Sequence, residues 1–125
     1  MYIVRADSST NRLYITLKGF LSESEARDAA DAIILETTRL APGFVVLVDI
    51  TEFKPEAGSV TVHIKRAQLA AYQAGAKKVI RIVNNVISEM QFRRLQHEVG
   101  AQYETIEVSS VEEAEQLLAQ WDQEG

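Results

Sequence analysis

A carboxylate and two hydroxyl side chains near the middle of the chain have the types and spacing for phosphate chemistry. Asp49 ends an apolar run, Thr51 follows two residues later, and Ser59 lies at the predicted start of the next helix. The free backbone N–H groups and the dipole at a helix N-terminus favour a phosphate there. We therefore predict a phosphorylation site at Ser59, within a partner-binding loop. That loop comprises Asp49, Thr51, Glu52, Phe53 and Ser59.

Two structural alternatives remain open for this segment. In the first, Ser59 only caps the helix or faces water. In the second, Asp49 accepts hydrogen bonds from loop amides.

A second candidate site is a set of basic residues in a chain with an overall net charge of −5. Residues 1–53 carry a net charge of −3, residues 54–94 carry +6 and residues 95–125 carry −8. The basic set would offer a landing surface to an acidic protein or an anionic lipid head group. Alternatively, the acidic ends fold beside the middle and neutralise it. The set comprises Lys77, Lys78, Arg81, Arg93 and Arg94.

Several kinds of chemistry lack the residues that they need. The chain has no cysteine, its six glycines are scattered rather than grouped in a phosphate loop, and its two histidines fall on different predicted helices. We therefore expect no catalytic site, cofactor or metal centre. Nucleic acid is also a poor candidate partner, because the net charge is negative and no aromatic residues alternate with the basic ones.

The 125 residues correspond to a single domain, residues 1–125, with an ordinary globular composition. No run approaches the roughly 20 apolar residues of a membrane span, and the N-terminal residues do not follow a signal-peptide pattern. With no cysteine in the chain, we expect a cytoplasmic protein.

The hydrophobic pattern predicts the elements that position these residues. Tyr2–Ala6 and Arg12–Lys18 read as an antiparallel hairpin, since apolar and polar residues alternate in the second strand. Phe44–Asp49 runs apolar without alternation, as a parallel strand covered on both faces does. Two further strands are predicted at Val79–Val83 and Tyr103–Val108.

Four helices are predicted between and after these strands. Ser22 and Ser88 each begin a capping-box pattern, and Ser110 is the predicted cap of the last helix. The remaining helix lies between Pro55 and Ala74. The predicted order is therefore β-β-α-β-α-β-α-β-α, an α/β fold with a mainly parallel mixed sheet flanked by helices.

This order, with Asp49-Ile50-Thr51 at the end of a central strand, resembles the STAS domain of bacterial anti-sigma-factor antagonists. Those proteins carry Asp-Leu-Ser at the strand end and then an Asp-Ser-Ser-Gly motif in which a serine is phosphorylated by the partner kinase. In that register Ala57 replaces the aspartate, Gly58 the phosphorylated serine, and Ser59 follows. The chain is more similar to the divergent SpoIIAA-like, or STAS/SEC14-type, stand-alone proteins.

The resemblance implies a non-enzymatic regulatory module that binds a protein partner of the anti-sigma or kinase type. The alternative that it implies is a binder of a small apolar or anionic-lipid ligand, in the manner of Sec14-like domains. In that case Phe53, Met90 or Phe92 would be exposed around a pocket. A homodimer is compatible with either interpretation.

Overall fold

The computed structural model describes residues 1–54 and 58–124 and confirms the predicted order of elements. The strands are β1 (Tyr2–Asp7), β2 (Arg12–Gly19), β3 (Val45–Phe53), β4 (Lys78–Ile82) and β5 (Glu104–Val108). The helices are α1 (Glu23–Thr37), α2 (Gly58–Ala74), α3 (Val86–Glu98) and α4 (Val111–Glu124).

The strands form one five-stranded sheet in the order β1-β2-β3-β4-β5. β1 and β2 pair antiparallel, as the hairpin pattern predicts, whereas β2, β3, β4 and β5 are all parallel. The four parallel strands therefore end along the same side of the sheet, which we call the carboxyl edge. All four helices begin at this edge, because each follows the end of one of those strands.

The alternation of side chains in β3 divides the core into two parts. Val46 and Val48 contribute to a large cluster with residues of α1, α2 and α3, such as Ile33, Ile64 and Phe92. Leu47 faces the other way, into a smaller cluster built with α4. We call these the three-helix face and the α4 face. β3 is therefore covered on both sides, as its continuous apolar run predicts.

Local hydrogen bonds determine where two helices begin. The Ser22 side chain accepts from the backbone of Glu25 in the predicted capping box of α1. The second predicted capping box, at Ser88, is wrong. α3 begins three residues earlier, with Asn85 as its N-cap, and Asn85 Oδ1 accepts from the backbone N–H groups of Ile87 (2.8 Å) and Ser88 (3.3 Å). Ser88 is buried in the first turn, and its hydroxyl has no hydrogen-bond partner within residues 1–54 and 58–124.

The turn after α2 lies against the turn before β3. Gly75 adopts a φ of +105°, which suits glycine at the end of a helix, and its carbonyl accepts from the Gly43 backbone N–H at 2.7 Å. A Cβ atom at Gly75 would lie 2.9 Å from Pro42 Cα. This contact joins two crossover connections at the side of the sheet opposite the carboxyl edge.

Candidate functional site

Asp49 does not end its strand, contrary to the prediction from its position in the sequence. β3 continues to Phe53, and Asp49 pairs with Thr16 of β2 and Ile82 of β4. The pairing with β2 then shifts by one residue, because Thr16 lies opposite Asp49 whereas Lys18 lies opposite Glu52. Such a bulge inserts an extra residue into one strand and re-aims the side chains around it.

The Asp49 carboxylate stabilises this irregular segment. Its Oδ1 accepts from the backbone N–H of Thr51 at 3.0 Å and from the Thr51 hydroxyl at 2.7 Å. Asp49 therefore accepts a hydrogen bond from a nearby backbone amide, which is the structural alternative given for it in the sequence analysis. Asp49 also lines a cleft of about 570 Å³ between the sheet and α4. The Arg12–Asp122 ion pair lines the same cleft, with a shortest N–O distance of 2.8 Å.

The predicted partner-binding loop is in large part strand. Thr51, Glu52 and Phe53 all belong to β3, and Phe53 is buried. Its ring contacts Phe92 edge to face, with the ring centroids 5.8 Å apart. Phe53 and Phe92 are therefore core residues rather than exposed ones, because β3 extends through the bulge and carries Phe53 onto the three-helix face. Glu52 remains exposed and lies 3.4 Å from Lys18.

Ser59 is exposed in the first turn of α2, directly after the carboxyl edge. Its neighbour in the resembling motif, Ala57, lies outside the described residues. The Thr61 hydroxyl donates to the Gly58 carbonyl at 2.8 Å, so it is engaged within the same turn. The hydroxyl of Ser59, the predicted phosphorylation site, belongs to an exposed residue, whereas the Thr51 hydroxyl donates to Asp49.

The five basic residues do not form one surface. Arg81 is 1% exposed and lies on the three-helix face, whereas Lys78 lies on the α4 face with its ammonium 4.0 Å from the centre of the Trp121 ring. They separate because residues an odd number of positions apart in a strand point to opposite faces.

Arg93 and Arg94 on α3 instead pair with acidic residues, and Lys77 is exposed just before β4. Glu98, Glu107 and Asp122 from the acidic C-terminal segment form ion pairs with basic residues from the rest of the chain. The alternative in which folding neutralises the charge asymmetry is therefore confirmed for these pairs.

Exposed apolar side chains collect at the carboxyl edge, a feature that the sequence patterns did not reveal. Ten large apolar residues of the described ranges are exposed, and seven of them lie at this edge. Val86 and Ile87 are each 69% exposed in the first turn of α3. We call the seven the apolar edge cluster: Met1, Phe20, Val62, Val86, Ile87, Met90 and Val111.

The sequence held one signal for this cluster. Val86 and Ile87 directly follow the predicted strand Val79–Val83, but the capping box predicted at Ser88 assigned them to a loop. With the helix start at Asn85, both become exposed residues of a helix N-terminus.

A cavity of about 80 Å³ lies between α1, α2 and the sheet. Its lining is almost entirely apolar, and the lining residues that carry polar groups are His63, Gln68, Arg81 and Tyr103. Arg81 donates to Gln96 Oε1 at 2.9 Å and to Glu107 Oε2 at 3.4 Å. Burial lowers the pKa of Arg81, and it raises the pKa of Tyr103, which also lines the cavity, to about 12.

Comparison with known protein families and with curated proteins finds no match for the chain. Among solved structures, the chain is similar to an uncharacterised protein of the DUF3478 family from Shewanella loihica PV-4, whose crystal structure has a SpoIIAA-like fold. The two share 18% sequence identity with a TM-score of 0.69 over 94% of this chain and 93% of that one. The fold is SpoIIAA-like.

The SpoIIAA-like fold confirms the resemblance drawn from the hairpin, the βα units and the strand around Asp49. At this level of identity the likeness concerns the fold alone, and function has to be argued from the site. None of the described helices combines the length and hydropathy needed to cross a membrane.

Proposed function

We propose that the protein is a non-enzymatic regulatory module of the STAS type that binds a protein partner through its carboxyl edge. The observation that carries this proposal is the concentration of exposed apolar side chains at that edge. Soluble domains rarely leave such residues grouped unless the group contacts a partner. Methionine, here Met90, also adapts easily to different binding surfaces.

The charges around the apolar edge cluster favour a protein over an anionic membrane. Lys18 and Lys54 are basic residues at this edge, and Lys18 is paired with Glu52, whereas Glu112 and Glu113 are further exposed acidic residues nearby. Adsorption to anionic lipid generally needs a cluster of lysine and arginine. A partner with its own apolar surface would instead bury Val86, Ile87 and Met90 and leave the acidic residues at the rim.

The test is to identify a protein that copurifies with the tagged chain and then to measure its affinity for purified variants. Ile87→Asp should weaken binding about 30-fold or more, as expected when a central apolar contact is lost. Leu35→Asp is the matched control, because Leu35 is 62% exposed on α1 and lies outside the apolar edge cluster. Equal affinities of the two variants would contradict the proposal, and so would self-association as the sole activity of this edge.

Ser59 is the proposed switch within the same surface. A phosphate there would add roughly −1.5 to −2 charges beside the apolar edge cluster, and an apolar interface disfavours a charge. Ser59→Asp should therefore weaken the interaction with the identified partner. Ser8→Asp is its control, since Ser8 is exposed in the β1–β2 turn. Unchanged affinity of the Ser59 variant would remove Ser59 as the switch.

One observation favours a second candidate function, the binding of a small apolar ligand. The cavity between α1 and α2 has an almost wholly apolar lining and lies on the three-helix face of the sheet. Native mass spectrometry of freshly purified protein would detect a retained small molecule. The same measurement on Ala67→Leu, which fills the cavity, should show the molecule lost.

A further inference from the structure

Acidic residues surround the exposed apolar side chains of the carboxyl edge. The first turns of the four helices, as far as the structure describes them, contain five glutamates and no lysine or arginine. Glu52 lies at the same edge, near the end of β3. For each helix by itself, negative charge in the first turn is favourable because it complements the macrodipole. The five glutamates are Glu23, Glu25, Glu89, Glu112 and Glu113.

The edge as a whole remains negative when the helix dipoles are included. Among the described residues, two lysines, Lys18 and Lys54, face the six glutamates, which is a difference of −4 charges. Each helix N-terminus contributes about half a positive charge, so the four helices offset only about two of these charges. A partner that docks at this edge therefore meets an acidic surface.

Three of the six carboxylates are open to a partner. Glu23, Glu112 and Glu113 are exposed, and none of them forms an ion pair within residues 1–54 and 58–124. The other three each lie within ion-pair distance of a cationic group. The open carboxylates belong to α1 and α4, the first and last helices of the chain.

These acidic residues lie on both sides of an apolar centre. α2 packs between α1 and α3, and its described first turn contains no acidic residue. Val62 of α2 and Ile87 and Met90 of α3 are the exposed apolar residues there. Glu23 begins α1 on one side, and Glu112 lies in α4 on the other, after the last strand of the sheet. The strands β2 and β5 that precede these two helices are three strand spacings apart, or about 14 Å.

We propose that the partner of the apolar edge cluster is a basic amphipathic segment of another protein. Its apolar side chains cover Ile87 and Met90, and its lysine or arginine residues meet the glutamates on either side. This inference rests on the proposed function and adds the chemistry of the partner. Interfaces of this kind have an apolar centre and a charged rim, where opposite charges speed association and reject acidic competitors. Ser59 lies three residues before Val62 in the apolar centre, where a phosphate would lose its hydration.

The first test uses two end-blocked peptides of about twelve residues that share a middle rich in leucine and alanine. One peptide has two lysines at each end, and the other has two glutamates at each end. Isothermal titration of the full chain should give the lysine peptide a dissociation constant of roughly 100 μM or lower. It should bind at least about tenfold more tightly than the glutamate peptide. In about 1 M salt the two affinities should become nearly equal, because salt screens exposed charges.

Two double variants separate the charge of this edge from the net charge of the chain. Glu23→Gln combined with Glu112→Gln should weaken binding of the lysine peptide about fivefold, since each exposed ion pair contributes only a little. Glu104→Gln combined with Glu124→Gln removes the same charge at exposed positions away from the carboxyl edge, and it should weaken binding less than about twofold. Ile87→Ser, which removes a central apolar contact without adding charge, should weaken binding about tenfold.

Failure of the inference can be told apart from failure of the proposed function. Equal binding of the two peptides, or equal effects of the two double variants, would overturn the basic partner, whereas a loss of binding in Ile87→Ser would still support the apolar contact. Binding that Ile87→Ser leaves unchanged would contradict both. Binding of neither peptide would overturn the inference alone, because the copurified partner tests the proposed function separately.

Two other occupants of this surface would also overturn the inference. Binding to phosphatidylserine vesicles that is lost in Ile87→Ser, in place of peptide binding, would assign the surface to a membrane. Self-association that is lost in the same variant would assign it to a second copy of the chain. Sedimentation of the protein with and without vesicles measures both.

Discussion

Arg81 and Glu107 lie opposite each other on neighbouring parallel strands, and Glu107 is the more exposed of the two. Because the arginine side chain is 2% exposed, its charge depends on the partners that the fold supplies. An uncompensated buried charge is among the most destabilising single features of a protein. The sequence already contained a signal for this site, because Arg81 interrupts the apolar run Val79–Val83, which was predicted to be a strand.

Replacing Glu107 tests how much the buried guanidinium depends on it. Glu107→Gln should lower the free energy of unfolding by about 3 kcal/mol, because Arg81 would keep its charge and lose its anionic partner. Glu104→Gln, at an exposed position on the same strand, should change it by less than about 0.5 kcal/mol. Urea denaturation of both variants measures the difference. Two equal effects would mean that Arg81 does not rely on Glu107.

Tyr103 provides a pH-dependent signal of the same buried environment. Burial raises its pKa to about 12 although Arg81 nearby acts in the opposite direction. The folded state therefore holds the phenol proton more tightly than the unfolded state does, and this contribution to stability is complete below about pH 10. It is lost as the pH rises through about 12. In an ultraviolet titration of tyrosinate, Tyr103→Phe should remove the phase near that pH, and an unchanged curve would contradict the assignment.

At the scale of elements, local signals were sufficient wherever a pattern repeated. The alternation of apolar and polar residues predicted β2, and the capping box at Ser22 predicted the start of α1, because both patterns depend on neighbours within a few residues. The end of β3 could not be predicted in this way. Asp49 is a poor strand former, and only the pairing of β3 with its neighbours and the Asp49–Thr51 hydrogen bonds carry the strand past it.

The start of α3 was missed for a related reason. Ser88 and Gln91 have the spacing of a capping box, but Asn85 is an equally good cap, and tertiary packing decides between them. Burial of Ser88 on the core side of α3 favours the earlier start. The prediction of the candidate site missed the exposed Val86 and Ile87 for the same reason, since they belong to α3 only when Asn85 is the cap.

Two alanine variants distinguish the two possible caps. Asn85→Ala should lower the free energy of unfolding by about 1 kcal/mol, the usual cost of losing an N-cap. Ser88→Ala should leave stability unchanged or raise it, because the hydroxyl is buried without a hydrogen-bond partner in the described part of the chain. Thermal unfolding of both variants measures these effects. If Ser88→Ala lowered the free energy of unfolding more than Asn85→Ala did, Ser88 rather than Asn85 would be the cap of α3.

At the scale of the whole molecule, the contact between Gly75 and Pro42 joins two crossovers that are remote in sequence. Gly75→Ala would place a Cβ atom 2.9 Å from Pro42 Cα in addition to straining the backbone at a φ of +105°. Gly100→Ala is the control, because Gly100 has a φ of +69° and open space around its Cβ position. Gly75→Ala should therefore destabilise the protein by at least about 1 kcal/mol more than Gly100→Ala. Equal melting temperatures would mean that the turns can separate freely.

The strand order also has a consequence for how the chain is made. Because the strands lie in the sheet in the order in which they occur in the sequence, each new strand docks beside the one synthesised just before it. The three-helix face of β2, β3 and β4 can therefore be assembled progressively as the ribosome releases these strands and the helices between them. α4 comes last, and until it docks the apolar side chains of Leu47, Ile80 and Val108 remain uncovered on the nascent sheet. The final helix thus closes the period in which the newly made protein is most prone to aggregate.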